Sequence, residues 1–266
     1  MAALVCVACS TEKSRQDQAA RQLLERSRQL VDDGQYNAAK ISLDSIHDGF
    51  PRLVDRRRAA AALMDSIRYL ESLQTIAYTD TAIASLEAQL DVLNKDFVYE
   101  RDDKYQTRGN LFHQRLKPQS GGITRSFLQP YVGEDMHVYV RSIYRGGKAL
   151  HHDAVQLSSA NDFARSGAVF RRHDYDLDDQ HYEIVTFRDA DADALLRFFA
   201  THDGADVSVE LTGSDTQSYR LSAADVKALT QCAQLADVVT QLNLMRRQAS
   251  QAADYVARYT ARMSAG

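Results

Sequence analysis

From Val54 to about Tyr99 the chain contains neither proline nor glycine, and its apolar residues recur at helical spacing. Leu63, Ile67, Leu70, Ile76, Ile83, Leu86, Leu90, Leu93 and Phe97 form one track. At ~1.5 Å per residue, such a helix needs a second helix to cover its apolar stripe along much of its length. The end of the chain supplies one. Val226, Leu229, Leu235, Val239, Leu242, Ala249, Ala253 and Val256 keep near-heptad spacing. Ahead of them stands Ser222 as N-cap with Asp225 at N3, a shortened capping box. This terminal helix, 222–266, is predicted to fold back on the N-terminal helices.

Upstream, Leu23, Leu24, Ser27, Leu30 and Val31 mark a helix that stops at Asp32-Asp33-Gly34. The next segment places Gly34, Tyr36, Ala39, Leu43, Ile46 and Pro51 at intervals that resemble the second helix of a tetratricopeptide repeat. Ala39 lets the paired helices approach, Tyr36, Leu43 and Ile46 fill the groove between them, and Pro51 ends the turn. The likeness covers one repeat. A single repeat cannot bury its own face, so the long helix is expected to cover it.

Residues 117–221 differ in character. After the linker-like Lys117-Pro118-Gln119-Ser120-Gly121-Gly122 come about seven short runs with strand patterning: SFLQPYV, MHVYVRSIY, AVQLSS, AVFRRHDY, YEIVTF, VSVELTG and SYRLS. Val207, Val209 and Leu211 alternate with Ser208, Glu210 and Thr212, as a strand with one wet face requires. These spacings favour a small antiparallel β-sandwich over a parallel sheet. A short helix is predicted over 192–200, with Asp189, Asp191 and Asp193 capping and charging its start. The expected class is α+β: a tether over 1–13, helices over 14–116, a β-sandwich over 117–221 and the terminal helix.

Hydrophobic residues make up 44% of the chain and charged residues 26%, which argues for a folded protein. The net charge of −4 offers no general basic field, so nucleic acid is not an expected partner. The triplet Arg56-Arg57-Arg58 with Arg52 reads as a solvated helix face. Three cysteines, Cys6, Cys9 and Cys232, cannot form a disulfide framework, and Cys232 falls within the terminal helix as a small core residue. Cys6 and Cys9 have C-x-x-C spacing, but no second ligand pair or strand–helix frame accompanies them to suggest zinc or redox use. The stretch Leu4-Val5-Cys6-Val7-Ala8-Cys9-Ser10 instead resembles the end of a bacterial lipoprotein signal, with Cys9 the lipidated residue. Such signals are longer and begin with positive charge, so an earlier start is expected. A diacylglyceryl group with a further acyl chain on Cys9 would anchor the chain stably, since more than one lipid chain is needed for lasting attachment. Ser10 to Ser14 lack an acidic surface-export cluster, which points to a periplasm-facing orientation at the outer membrane.

The stretch FVYERDDKYQTRGNLFHQ, Phe97 to Gln114, brings Tyr99, Tyr105 and Phe112 to the junction of helix and β-domain, either as packing or as a ligand groove. Together with the lipidation-like start, Leu43-Asp44-Ser45-Ile46, Phe50-Pro51 and Tyr144-x-Gly146-Gly147, it resembles uncharacterised lipoproteins of the Bacteroidetes. That resemblance implies an envelope location and no particular activity. In HDYDLDDQH, Asp174, Asp176 and Asp178 match the first carboxylates of a calcium loop. Asp179 and Val185 replace the glycine and glutamate that such a loop needs, so a turn or strand end is expected. His151, His152, His173 and His181 could form a transition-metal site if the fold joined them. No nucleotide-binding, zinc-protease or nucleophile-elbow motif is present. These features favour a non-catalytic, lipid-anchored adaptor or assembly subunit with an envelope protein partner and no cofactor. A β-domain that binds glycan or peptide through Tyr139, Tyr144, Asp174 and Asp176 is the second expectation, and a metal-dependent hydrolase the third.

Overall fold

The computed structural model describes residues 4–101, 109–117 and 122–265, with side chains described at Glu12 and from Ser14 onward. Tyr105 and the linker residues Pro118 to Gly121 therefore lie outside the described residues, as do the side chains of Cys6 and Cys9. The chain is α+β. It divides into two compact units: residues 1–82 with 246–266, and residues 83–245.

In the first unit, α1 (Leu4–Asp32) and α2 (Tyr36–Gly49) form a helical hairpin. Gly34, at φ +72°, closes α1. The Gln35 N–H donates to Leu30 O and the Gly34 N–H to Val31 O, the paired bonds of a Schellman stop. Only a residue without Cβ takes that backbone position at no steric cost. Ala39, Leu43 and Ile46 of α2 pack with Leu24 of α1 and with Ala60 and Ile67 of α3 (Val54–Leu93). The last part of α5 (Ala223–Ser264) lies on α3 in this unit. Tyr259 stacks on Tyr69 at 4.6 Å, its hydroxyl is 3.0 Å from Ser66 Oγ, and Arg262 donates to Asp65. Within the second unit the same two helices join Leu86 to Val238 and Leu242. The long helix and the terminal helix thus pack on each other, as the two apolar tracks require.

The second unit holds two antiparallel sheets. The first has six strands in the order β1-β2-β3-β4-β8-β7: β1 (Phe97–Glu100), β2 (Asn110–His113), β3 (Phe127–Gly133), β4 (Val138–Gly146), β7 (Arg171–Leu177) and β8 (Gln180–Arg188). The second has the order β10-β9-β5-β6: β5 (Ala154–Ser159), β6 (Asp162–Arg165), β9 (Ser208–Thr212) and β10 (Thr216–Arg220). Val138, Val140, Val185 and Phe187 of the first sheet share a core with Val155, Leu157, Val209 and Leu211 of the second. The helix α4 (Ala190–Thr201) adds Leu195 and Phe199, and the first turns of α5 add Val226, Leu229 and Cys232. Burial raises the Cys232 thiol well above its ordinary range.

Two differences from expectation have local causes. The long helix ends at Leu93 and, after one tight turn over 94–96, the chain enters the sheet. Strands β1 and β2 therefore fall within the segment 14–116 that was expected to be helical. Phe97 and Tyr99 continue the helical apolar spacing but equally satisfy a period of two, and pairing with β2 decides. At the start of α4, Asp191 and Asp193 occupy the first turn as expected, whereas the Asp189 carboxylate is turned away from the helix. It accepts from the Val138 N–H at 3.1 Å and lies 2.5 Å from His137 Nδ1.

Ser222 acts as expected before α5: its Oγ accepts from the Asp225 N–H at 3.1 Å and donates to the Asp225 carboxylate at 2.8 Å. Replacing Ser222 with Ala should cost about 1 kcal/mol of stability, read as a lower urea midpoint with unchanged slope.

Candidate ligand-binding face

Strand alternation gives the six-stranded sheet an inner and an outer surface. Because Val138 and Val140 point into the core, Tyr139 and Arg141 point outward. The same argument turns Ile184, Thr186 and Arg188 outward on β8, and Arg171 and His173 on β7. Register then assembles two rows across the strands. Phe112, Tyr131, Tyr139 and Arg188 are successive partners over β2, β3, β4 and β8. Gln129, Arg141, Thr186 and Arg171 are successive partners over β3, β4, β8 and β7. Tyr131, Tyr139 and Arg188 of the first row and Arg141, Thr186 and Arg171 of the second, together with Phe170 and the backbone at Gly109 and Gly133, line an open groove of about 860 Å³.

Aromatic rings make its floor. Tyr131 and Tyr139 stack at 4.8 Å, and Phe170 lies 5.9 Å from Tyr139. Arginines cover the rings: Arg141 stands 4.4 Å above Tyr131, Arg188 4.5 Å above Phe170, and Arg171 5.7 Å from Phe170. Ring quadrupoles hold these cations without neutralising them. Arg188 has Asp189 at 3.5 Å. Among the described residues, Arg141 and Arg171 have no carboxylate within ion-pair distance, and Arg141 donates to the neutral Gln129 amide at 3.3 Å. Among the described residues the carboxylates in the lining are Glu134 and Asp135, and Asp135 accepts from the Tyr139 hydroxyl at 2.9 Å. Burial, reinforced by that carboxylate, pushes the Tyr139 phenol up to about 12. Burial also raises Tyr131, against the opposing effect of Arg141. Both phenols therefore stay neutral and polar at ordinary pH.

The groove adjoins a smaller pocket of about 180 Å³, and Arg141 and Ile184 line both. Its walls include Ile123, Phe127 and Ile143, and its rim carries Arg115, Lys117 and Arg125. Lys117 pairs with Glu100 at 3.0 Å. Arg115 and Arg125 both donate to a single oxygen of Asp225, at 2.9 and 3.1 Å, which among the described residues leaves one positive charge of this trio uncompensated. Asp225 is almost fully buried. Burial would raise its carboxyl, but Ser222 and the two arginines outweigh that and hold it below the usual range.

On the inner surface, Glu183 of β8 is fully buried and accepts three consecutive backbone N–H groups: Leu150 at 2.6 Å, His151 at 2.5 Å and His152 at 2.8 Å. The His152 ring gives a fourth contact, with Nδ1 at 2.7 Å, while its Nε2 lies 3.0 Å from Ser142 Oγ. Arg172 donates to the His152 carbonyl and pairs with Asp174 at 3.4 Å. Burial opposes ionisation of Glu183, yet the bonds from His151, His152 and Leu150 prevail and hold its carboxyl below 4.5. Burial also dominates at His152 and lowers its ring below 6.5, so the imidazole is neutral.

The residues singled out from sequence are scattered by this geometry. Phe112 and Tyr139 join one row of the outer surface. Tyr144 lies in the core, with its hydroxyl donating to Lys148 O at 2.9 Å, so it does not reach the groove. Tyr99 accepts from the Gly109 N–H at 3.0 Å, its ring so close that a Cβ on Gly109 would collide with it. Asp174 and Asp176 alternate onto the Glu183 side, where Asp176 lies 2.7 Å from His181. Asp178 and Asp179, at φ +50° and +57°, form the two-residue turn of the β7–β8 hairpin. Of the four histidines, His173 is outward while His152 is inward with both ring nitrogens engaged. Among the described residues, no three His, Cys, Asp or Glu side chains are grouped to hold a metal. Tyr131, Arg141, Phe170, Arg171 and Arg188 escaped sequence reasoning. For Arg141 and Arg188 the signal was the period of two in VYVRSIYR and EIVTFR, which becomes informative only when register places the strands side by side.

No family model, curated protein or solved structure matches the chain.

The Glu183 cage generates a pH prediction. The unfolded chain protonates His152 before the folded protein does, so stability should fall as pH drops below about 6.5. Glu183, depressed in the folded state, contributes stability above 4.5 that is lost as pH falls through its lower folded value. Glu183→Gln at pH 7 should cost roughly 3 kcal/mol by opposing an amide to the backbone donors, and should flatten the acid limb of a denaturation series taken against pH.

Proposed function

We propose that this protein is a non-catalytic adaptor or assembly subunit of the cell envelope, whose β-unit holds an extended acidic segment of a protein partner. The observation that carries this reading is the pair Arg141 and Arg171, cations with no carboxylate partner among the described residues, on an aromatic floor in an open groove. Guanidinium groups recognise carboxylates through paired donors, and stacked rings offer a planar surface to apolar or aromatic side chains. Glycan binding by the β-domain is the second reading. Neutral sugars call for a balanced set of donors and acceptors, whereas this lining is weighted toward cationic donors. The adjoining apolar pocket favours a peptide, because alternate residues of an extended peptide can bring both carboxylates and apolar groups to one surface.

The location belongs to the same proposal and rests on the sequence around Cys9. A lipid chain on Cys9 would supply membrane attachment, since no helix among the described residues is long and apolar enough to cross a membrane. Replacing Cys9 with Ala should move the protein from the membrane fraction to the soluble one in envelope preparations, and retention would refute the anchor.

For the groove, fluorescence anisotropy with a labelled Glu-Glu-Tyr-Glu-Glu-Leu peptide should show saturable binding that weakens with added salt. Arg141→Ala and Arg171→Ala should each weaken it about tenfold, the loss of one charged hydrogen bond. Equal binding of a peptide with Lys in place of Glu would sink the acidic-ligand reading. Stronger binding of an oligo-galacturonate would transfer the groove to glycans.

A further inference from the structure

The small pocket beside the groove combines two properties that rarely share one space: apolar walls and an unbalanced positive rim. Arg115 and Arg125 converge on one oxygen of Asp225, so the buried acid can neutralise only one of them. Arg141, at the boundary with the groove, has no carboxylate partner among the described residues. Beneath them lie Ile123, Phe127 and Ile143. The volume of about 180 Å³ equals the share of roughly six water molecules in the liquid, room for little more than one amino-acid residue.

An occupant must therefore present a carboxylate and an apolar group from nearly the same point. An internal residue of an extended peptide cannot do this: neighbouring side chains point to opposite sides, and the next one on the same side is ~6.8 Å away. The last residue of a chain can, because its α-carboxylate and its side chain leave one Cα. We infer that the pocket bounded by Arg115, Arg125 and Arg141 captures the C-terminal carboxylate of the partner segment, with an apolar final side chain seated against Ile123, Phe127 and Ile143. This rests on the peptide reading of the adjoining groove and adds to it a direction and an end. The partner contributes its extreme C-terminus, with acidic residues preceding an apolar last one.

The test compares the Glu-Glu-Tyr-Glu-Glu-Leu peptide, labelled at its N-terminus, with the same peptide carrying a C-terminal amide. The free acid should bind at least about tenfold more tightly, the worth of one charged hydrogen bond. Arg125→Ala leaves Arg115 on Asp225 and should bring the free acid down to the level of the amide. Ile123→Trp, which fills the pocket from a half-buried position, should do the same with all charges retained. Arg171→Ala should weaken both peptides equally. Circular dichroism confirms that each variant is folded. Equal affinities of acid and amide for the unaltered protein, with binding still dependent on Arg141 and Arg171, would overturn the C-terminal inference and leave the groove reading standing. Displacement of the free-acid peptide by decanoate down to the level of the amide would also overturn it, by assigning the pocket to free amphipathic acids. Failure of both peptides to bind would instead remove the groove reading itself.

Discussion

The second unit depends on one buried carboxylate. Glu183 sits on the inner side of β8, where an unpaired charge would cost several kcal/mol or more. Three successive backbone N–H groups at Leu150, His151 and His152 meet it, supported by the His152 ring. His151 adopts φ +52° to aim those donors, a backbone strain that the carboxylate compensates. The same three residues lead into β5, so this one interaction ties the six-stranded sheet to the four-stranded one. It also fixes the parity of β8: with Glu183 inside, Ile184 and Thr186 must face out. A slip of one residue would bury Arg188 and dismantle the groove.

The outer surface follows the opposite electrostatic logic. Inside, Glu183 is met by backbone donors and Asp174 by Arg172. Outside, Arg141 and Arg171 lie against rings and have no carboxylate partner among the described residues. Like charges held together lower stability, and the rings offset only part of that cost. Asp225 joins the two regimes. It belongs to the cap of α5, and its two arginines rim the pocket, so the device that starts the terminal helix also sets the charge beside the groove.

The helical elements were legible because their information is local. A run free of Pro and Gly, Ser222 ahead of Asp225, and Gly34 after a double aspartate each act through the next few residues. The strands were legible where alternation was clean, as in Val207 to Thr212. Strands β1 and β2 were not, because Phe97 and Tyr99 fit both the helical and the extended period and a partner segment had to choose. Tyr144 looked like a ligand contact and lies in the core, since a tyrosine flanked by apolar residues gives no sign of which side of its strand is wet. The aspartates of HDYDLDDQH divide between an inner strand surface and a hairpin turn for the same reason.

By itself, the sequence determined the element types outside β1 and β2, the α+β class, the pairing of the two long helices and the cap that begins the last one. All of these arise from short-range backbone preferences and from apolar periodicity within a segment. Tertiary structure alone decided which arginines stand together. Arg141, Arg171 and Arg188 come from three strands, and their proximity is a consequence of register between segments distant in the chain. A linear pattern encodes which side of its own strand a residue takes, but not which strand lies next to it.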